Sequence, residues 1–229
     1  MSYWSLSGIV ELLKTDYNVI TPIIDGHGEA GEDGFISIED SAEKLLEYID
    51  KHHNGKIFAV AGFSLGAQIV TEVLSKRDNV AQYAILESAL IVPMKTVAPL
   101  IVFTCKLSYG LIKKKWFSKL QAKSSFIAED MFEQYYSDTM KLSKQSLINI
   151  MRGNTSYKLK NSIEKTKAKV LIIVGEKEIS HVKKSANILK NKIPNSEIYY
   201  VQKMGHGELS LAHQKEYVKL LKEFLRERH

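Results

Sequence analysis

Short apolar runs and stretches of helical periodicity alternate along this chain. The short runs are nearly all apolar and are bounded by turn residues, which is typical of strands, and the first of them indicates a strand buried on both faces. They are residues 57–61, 80–86, 169–174 and 197–201. Residues 19–24 are apolar and partly β-branched and predict one more strand, in which Pro22 is better tolerated near an end or an edge than in the middle.

Apolar residues at helical spacing lie between these runs. Helical patterns begin at Trp4, Ser37, Leu65 and Ser180, and a last one runs to the C-terminus. Ser37 and Asp40 have the spacing of a capping-box-like pair, which favours a helix start at Ser37. Because strand and helix alternate so regularly, the order predicts an α/β fold, a mostly parallel sheet with helices on both faces.

Residues 89–166 break this order. They contain no clear strand run, and the segment is too long for a plain loop in a compact domain. Four pieces have helical character: residues 97–112, 116–124, 128–136 and 143–151. The predicted domains are therefore a core of residues 1–88 and 167–229 and a helical insertion of residues 89–166. The aromatic content of the insertion exceeds what a solvated linker needs, and we expect some of its side chains to set substrate preference.

The composition is that of one globular domain. The chain has 229 residues, of which 45% are hydrophobic, enough for one sizeable core. Its 32 Lys and Arg against 26 Asp and Glu give a net charge of +6, with the lysines spread along the chain. Such a distribution favours a solvated surface over a nucleic-acid groove and is compatible with weak attraction to anionic surfaces.

Three features bear on localisation. The single cysteine, Cys105, excludes an internal disulfide and suits a reducing compartment. No signal peptide is visible after Met1. The longest apolar run, residues 97–105, is too short to span a bilayer. We therefore predict a soluble cytoplasmic protein without stable membrane insertion.

A serine flanked by glycines lies between the strand at 57–61 and the following helix. The segment reads Gly62-Phe63-Ser64-Leu65-Gly66. A turn this tight is expected to leave no room for a Cβ atom at either glycine, and it holds the serine hydroxyl clear of the backbone. The helix N-terminus behind the serine favours a developing negative charge. Ser64 is therefore a candidate nucleophile.

This stretch resembles the nucleophile elbow of the α/β-hydrolase family, and the resemblance covers nearly the whole chain. It implies that His206, which follows the last predicted strand in a glycine-flanked loop, is the general base. It also implies that Leu65 donates a backbone N–H to the oxyanion hole. The family commonly has a G-x-x-D turn before the histidine strand, and Gly175-Glu176-Lys177-Glu178 stands there, so Glu178 is the expected acid. Glu87 is the rival because some family members place the acid after the sixth strand.

The resemblance also has implications for the rest of the chain. In that family an insertion after the sixth strand forms a helical cap over the nucleophile, which is how we interpret residues 89–166. Residues 25–29 resemble the loop after the family's fourth strand, and we interpret His27 as a loop residue and not as a catalytic one. The family's first strands, including the third strand with its H-G-type oxyanion loop, have no counterpart here. We therefore expect a shortened version of a longer reading frame that is a poor catalyst as given.

The sequence predicts a serine hydrolase that cleaves carboxylic esters or thioesters with a partly apolar acyl group. Ser64 would attack, His206 would carry the proton, and Glu178 would orient the histidine. The alternatives are a non-catalytic binding or scaffold protein with the same fold and an acyltransferase that uses the same residues. No metal or organic cofactor is implied, because no ligand cluster or phosphate loop is present. We expect the protein to bind a small-molecule ester and not a nucleic acid. An oligomer is compatible with this prediction.

Overall fold

The computed structural model describes residues 2–96 and 98–226. Contacts divide these residues into two compact units. The sheet unit contains the described residues of 37–96 and 153–207, and the helical unit contains those of 1–36, 97–152 and 208–229. The assignment of residues 89–166 to a cap stays a prediction.

The sheet unit contains four parallel strands in the order β1-β2-β3-β4. They are β1 (Ile57–Phe63), β2 (Ala81–Glu87), β3 (Lys169–Gly175) and β4 (Ser196–Val201). Their register pairs Phe63 with Glu87, and Gly175 with Val201, so the carboxyl ends of the strands lie at one edge. The predicted parallel sheet is confirmed at four of the apolar runs.

Helices account for most of the remaining chain. In chain order they are α1 (Ser7–Leu13), α2 (Ile38–His53), α3 (Leu65–Lys76), α4 (Ala98–Ile112), α5 (Lys115–Ser124), α6 (Phe132–Lys141), α7 (Lys144–Ser156), α8 (Ser180–Lys192), α9 (Glu208–Ala212) and α10 (Gln214–Arg226). Ser37 caps α2, since its Oγ accepts the Asp40 N–H at 3.1 Å as the sequence predicts. Short 3-10 helices lie at Tyr3–Leu6, Gly28–Ala30, Glu129–Met131 and Asn161–Lys165.

Two predictions about strands are wrong. Residues 19–24 have no regular secondary structure. Pro22 has no N–H to donate, and no strand among the described residues pairs with this segment, so a ladder cannot form. The strand β1 is present, but Phe58 and Ala61 are exposed, because among the described residues β1 has only one neighbouring strand. Central β2 and β3 are the strands with almost continuous burial.

The helices of the helical unit pack against one another. Helix α1 packs against α10, and α5 packs against α4 and α6. A buried hydrogen bond of 2.7 Å from Trp4 Nε1 to Asp138 Oδ2 joins the N-terminal segment to α6. The helical pieces predicted within residues 89–166 are all present, three of them with shifted ends, while the predicted start of the first piece at residue 97 lies outside the described residues. No helix among the described residues is long and apolar enough to cross a membrane.

The glycine-rich loop after residue 24 belongs to the helical unit. Gly26 and Gly28 both have positive φ angles, 75° and 52°. His27 Nδ1 donates to the carbonyl of Asp25 at 3.1 Å. Burial lowers the pKa of His27 below its ordinary value, since desolvation disfavours the imidazolium.

Candidate active site

Ser64 occupies a strained turn between β1 and α3. Its φ of 52° and ψ of −112° are sparsely populated for a residue with a side chain. The turn is held by a 2.9 Å hydrogen bond from the Ser64 N–H to the Glu87 carbonyl on β2. A Cβ atom at Gly62 would lie 2.3 Å from the carbonyl oxygen of Gly66, so the strand and the helix approach each other too closely for any other residue. This is the geometry of a nucleophile elbow.

Of the two glycines that flank Ser64, only Gly62 lies where an added side chain would clash. At Gly66 an added Cβ would meet no atom within 4 Å. The expectation that both positions exclude a side chain is therefore wrong for Gly66. The reason is that Gly62 lies beneath the first turn of α3, whereas Gly66 faces open space within that turn.

His206 lies in the loop after β4 with both ring nitrogens engaged. Its Nε2 is 2.9 Å from the Ser64 Oγ. Its Nδ1 is 3.0 Å from Glu178 Oε2 and 3.2 Å from Oε1. An ionised carboxylate only accepts hydrogen bonds, so Nδ1 carries the proton and Nε2 is left to accept the Ser64 hydroxyl. The three residues predicted from sequence are thus brought into one hydrogen-bonded chain within the sheet unit.

Glu178 is buried, and its partner is not. The Glu178 side chain is 2% exposed, whereas the His206 side chain is 47% exposed. The Glu178 N–H donates to the Gly175 carbonyl at 3.1 Å, which closes the turn after β3. A glutamate in this turn therefore reaches the imidazole although it is one methylene longer than the family's aspartate.

The loops that carry the acid and the base are joined by backbone hydrogen bonds. The N–H of Glu176 donates to the Val201 carbonyl, and that of Lys177 to the Met204 carbonyl, both at 2.9 Å. The Lys203 N–H in turn donates to Glu176 Oε2 at 2.7 Å. Because β3 and β4 are neighbours, these bonds fix the positions of the two loops relative to each other.

Glu87, the alternative acid, lies at the carboxyl end of β2 and is buried. Its backbone carbonyl supports the Ser64 turn, as described above. The contacts of His206 Nδ1 are made with Glu178. The assignment of the catalytic acid to Glu178 remains a prediction that this geometry favours.

Three residues that sequence reasoning missed hold the histidine loop. The Phe63 ring lies against the His206 ring, with centroids 5.2 Å apart. Gly207 has a φ of 66°, and a Cβ atom there would lie 2.2 Å from Phe63 Cε2. The Ser88 Oγ accepts the Gly207 N–H at 3.3 Å. Phe63 and Gly207 stand next to predicted site residues and could have been suspected, whereas nothing in the sequence singles out Ser88.

Helix α3 is anchored by polar groups on its buried side. Gln68 Nε2 donates to the carbonyls of Leu90 at 2.5 Å and Asn154 at 3.0 Å. The buried Glu72 carboxylate forms an ion pair with Lys160 and accepts the Tyr157 hydroxyl at 3.2 Å. Burial and this carboxylate raise the pKa of the Tyr157 phenol far above its ordinary value. The helix behind Ser64 is thereby fixed along two turns.

Leu65 is the first residue of α3. An N–H in the first turn of a helix has no intrahelical acceptor and lies at the positive end of the helix dipole. It is suited to bind an oxyanion formed on a carbonyl attacked by Ser64. No group of three or more His, Cys, Asp or Glu side chains that could hold a metal ion occurs in the part of the chain that the structure describes.

A parallel sheet with an elbow serine, a histidine after the last strand and an acid after the preceding strand defines the α/β-hydrolase fold. The chain belongs to the family described as serine aminopeptidase, S33, whose model matches residues 8–210. No curated protein matches this sequence.

Solved structures agree with this fold at low sequence identity. An esterase from Exiguobacterium antarcticum is 16% identical with a TM-score of 0.80, over 99% of this chain and 88% of that one. A bromoperoxidase from Bacillus anthracis is 18% identical, also with a TM-score of 0.80 and the same coverage of 99% and 88%. A thermophilic esterase from Thermogutta terrifontis is 14% identical with a TM-score of 0.75, over 99% and 86%.

Proposed function

We propose that this protein hydrolyses carboxylic esters or thioesters through an acyl-enzyme on Ser64. The observation that carries the proposal is the hydrogen-bonded chain from Glu178 through His206 to the Ser64 hydroxyl, with distances of 3.0 and 2.9 Å. A serine hydroxyl is a weak nucleophile until a base removes its proton, and an imidazole held by a carboxylate is such a base.

In the first half-reaction Ser64 Oγ bonds to the acyl carbon while its proton passes to His206 Nε2. The negative charge on the former carbonyl oxygen is stabilised by the Leu65 N–H. Buried Glu178 stabilises the imidazolium and keeps its ring in position. When the bond to the leaving alcohol or thiol breaks, His206 returns the proton to that group, and the acyl-enzyme remains.

In the second half-reaction a water molecule takes the place of the alcohol. His206 accepts a proton from the water as its oxygen bonds to the acyl carbon, and the bond to Ser64 Oγ breaks. The serine recovers its proton, and the acid is released. An acceptor alcohol in place of water would give acyl transfer by the same steps.

The proteins with similar structures favour an ester substrate, since two of those reported above are described as esterases. The matching family is described as serine aminopeptidase, a description that supports acyl chemistry at a serine but names an amide substrate. The aromatic and apolar content of residues 89–166 favours an acyl group of several carbons, since each buried CH₂ contributes up to ~0.8 kcal/mol. A cytoplasmic location also remains part of the proposal.

The test combines a covalent probe with a substrate series. We expect a fluorophosphonate to label the wild type and not the Ser64→Ala variant, while Ser137→Ala, which changes an exposed serine, keeps full labelling. Among p-nitrophenyl esters, butyrate should have a higher kcat/KM than acetate. If Ser64→Ala is labelled as strongly as the wild type, Ser64 is not the nucleophile. If the wild type is labelled but hydrolyses no ester, the result favours a non-catalytic scaffold protein.

The same assay separates the remaining alternatives. An added alcohol should change the product from the free acid to an ester only if the protein is an acyltransferase. Aminoacyl p-nitroanilides, included because of the family's description, should be cleaved more slowly than the esters. A series in which acetate or an anilide gives the highest kcat/KM would contradict the proposed substrate class.

A further inference from the structure

Helix α4 carries a row of exposed apolar side chains. The row consists of Leu100, Phe103, Leu107 and Leu111, which recur every three or four residues and therefore share one helix face. Leu100, Phe103 and Leu107 are each more than half exposed. Large apolar side chains scattered singly on a surface are ordinary, but a continuous row on one face is not.

The opposite side of the same helix is buried. Val102 and Ile112 are among the core residues of the protein. A helix that packs on one face normally presents polar residues on the other. Helix α4 has apolar residues on both faces, and only one of them is covered.

Helix α5 continues this pattern after a connection formed by Lys113 and Lys114 alone. Trp116 and Leu120, one turn apart, are 66% and 61% exposed. Lys119 and Lys123 follow them by three residues each and form a basic row on the same helix. The two helices thus combine exposed apolar residues with lysines.

The charge of this region has one sign. No Asp or Glu occurs from residue 88 to residue 128. Lys115 forms an ion pair with Glu133 at 2.7 Å, and Lys113 Nζ donates to backbone carbonyls, including that of Thr139. The remaining lysines of α4, α5 and their connection are exposed and have no acidic partner within 4 Å in the described part of the chain. They are Lys106, Lys114, Lys119 and Lys123.

From these observations we infer that α4 and α5 form a peripheral binding surface for an anionic lipid bilayer, which we call the basic apolar surface. Leucine and phenylalanine would enter the boundary between headgroups and acyl chains, and Trp116 has the amphipathic ring that favours this level. Lysines would extend to the anionic headgroups. With 15 residues, α4 would lie on the membrane and not cross it.

Charge complementarity selects the lipid over other occupants. In a symmetric dimer the same patch meets itself, so the lysines of two copies would face each other with no acidic residue from this region between them. A nucleic acid would satisfy the lysines but would leave the leucine row against a phosphate backbone. An anionic bilayer satisfies both sets of side chains.

Binding is measured by flotation with vesicles of phosphatidylcholine containing about one third phosphatidylglycerol, and with pure phosphatidylcholine vesicles. We expect at least tenfold tighter binding to the anionic vesicles and a loss of binding at high salt, since each lysine near the surface contributes roughly fivefold. Equal binding to both vesicle types, or none to either, would overturn the proposal.

Trp116 provides a second readout within the chain. The other tryptophan, Trp4, is buried, so a change in emission on adding anionic vesicles reports on Trp116. We expect a blue shift and quenching by brominated acyl chains, both absent in Trp116→Phe although that variant still floats with the vesicles. Binding without any change in Trp116 emission would place the contact elsewhere and would overturn the proposal.

Variants separate the apolar from the charged contribution. Leu107→Ser with Leu111→Ser, and separately Lys119→Glu with Lys123→Glu, should each weaken binding at least tenfold. The matched controls are Ile36→Ser, which removes an exposed apolar residue of the helical unit, and Lys56→Glu with Lys158→Glu, which makes the same charge change in the sheet unit. Controls that lose as much binding as the test variants would refute the assignment.

Catalysis and self-association are each separated from lipid binding by one measurement. Ser64→Ala should bind vesicles as the wild type does, so a failure of the proposed hydrolase activity leaves this test intact. Sedimentation should give the same mass for the wild type and for Leu107→Ser with Leu111→Ser. A wild-type dimer that this double variant converts to a monomer would show that a second copy covers the surface and would overturn the lipid assignment.

Discussion

The carboxyl edge of the sheet and the α4–α5 pair use apolar residues in opposite ways. At the sheet edge, the apolar residues of β2 and β3 are buried, and polar residues lie at and after the carboxyl ends of the strands. Glu178 is buried there, and backbone contacts hold Ser64 in place. In α4 and α5 the buried face resembles any core, but the outward face is also apolar and its charged residues are all lysines. The sheet edge is held by contacts within its own unit, whereas no element among the described residues covers the outward face of α4 and α5.

The difference shows where substitutions should matter. Around Ser64 the backbone of β1 approaches that of α3 so closely that a single added carbon has no place. On the outer face of α4 the side chain of Leu107 is 69% exposed, so its removal changes few packed contacts. Function at the sheet edge should therefore depend on atomic positions, and function at the basic apolar surface on the sum of apolar area and charge.

The largest expected effect is on catalysis. Glu178→Gln keeps the size of the side chain but removes the charge that stabilises the imidazolium, so kcat for p-nitrophenyl butyrate should fall roughly 10³-fold with little change in melting temperature. Glu87→Gln is the matched control and should lose much less. If Glu87→Gln loses more kcat than Glu178→Gln does, Glu87 at the end of β2 is the catalytic acid.

The next effect concerns the elbow. Gly62→Ala should destabilise the protein by about 3 kcal/mol or more and abolish activity, because the new Cβ overlaps backbone atoms that cannot rotate away. Gly66→Ala, four residues on, meets no atom and should leave stability unchanged or raise it by up to ~1 kcal/mol. Chemical denaturation of both variants is the measurement, and similar losses in the two would refute the packing argument.

A smaller effect distinguishes the two faces of α4. Ile112→Ala should cost about 2 kcal/mol, since it opens a cavity at a side chain that is 7% exposed. Leu107→Ala, at a side chain that is 69% exposed, should change the free energy of unfolding by less than about 0.5 kcal/mol. If Leu107→Ala costs as much as Ile112→Ala in urea denaturation, the outer face is covered by another part of the molecule.

The smallest effect is the pH dependence from His27. Because burial lowers its pKa in the folded state, the unfolded chain binds more protons between that lowered pKa and the ordinary value of about 6.5. Its contribution to stability is therefore present above about pH 6.5 and is lost as the pH falls below it. Between pH 7 and 5 the free energy of unfolding of the wild type should therefore fall more than that of His27→Asn.

The control for His27 is His52→Asn, which changes an exposed histidine at the end of α2. Urea denaturation at several pH values gives the free energies. Identical slopes for the wild type and His27→Asn would show that burial of His27 does not contribute to acid sensitivity.

Much of the sheet edge could be predicted because its signals are local. Apolar runs next to turn residues indicated β1 to β4, and the glycines around Ser64 indicated the elbow from five consecutive residues. The acid was harder to predict, since Glu178 and Glu87 both follow strands, and only the loop bonds between β3 and β4 bring Glu178 to the imidazole.

The failed predictions have a common physical cause. Residues 19–24 have the composition of a strand, but a strand exists only if another one pairs with it. The run at 57–61 is apolar enough for burial on both faces, but burial depends on its neighbours. The space around Gly66 and the contact of Phe63 with Gly207 depend on how the chain packs in three dimensions, which no local sequence pattern indicates.

The sequence by itself determined the alternation of strands and helices, the elbow motif and the run without acidic residues between 88 and 128, because each is a property of residues close along the chain. Only the tertiary structure decided that His206 lies between Ser64 and Glu178, and that the row from Leu100 to Leu111 faces outward while Ile112 faces inward. Periodicity gives a helix its faces. Which face is covered depends on what packs against it, and that is set by contacts between residues far apart in sequence.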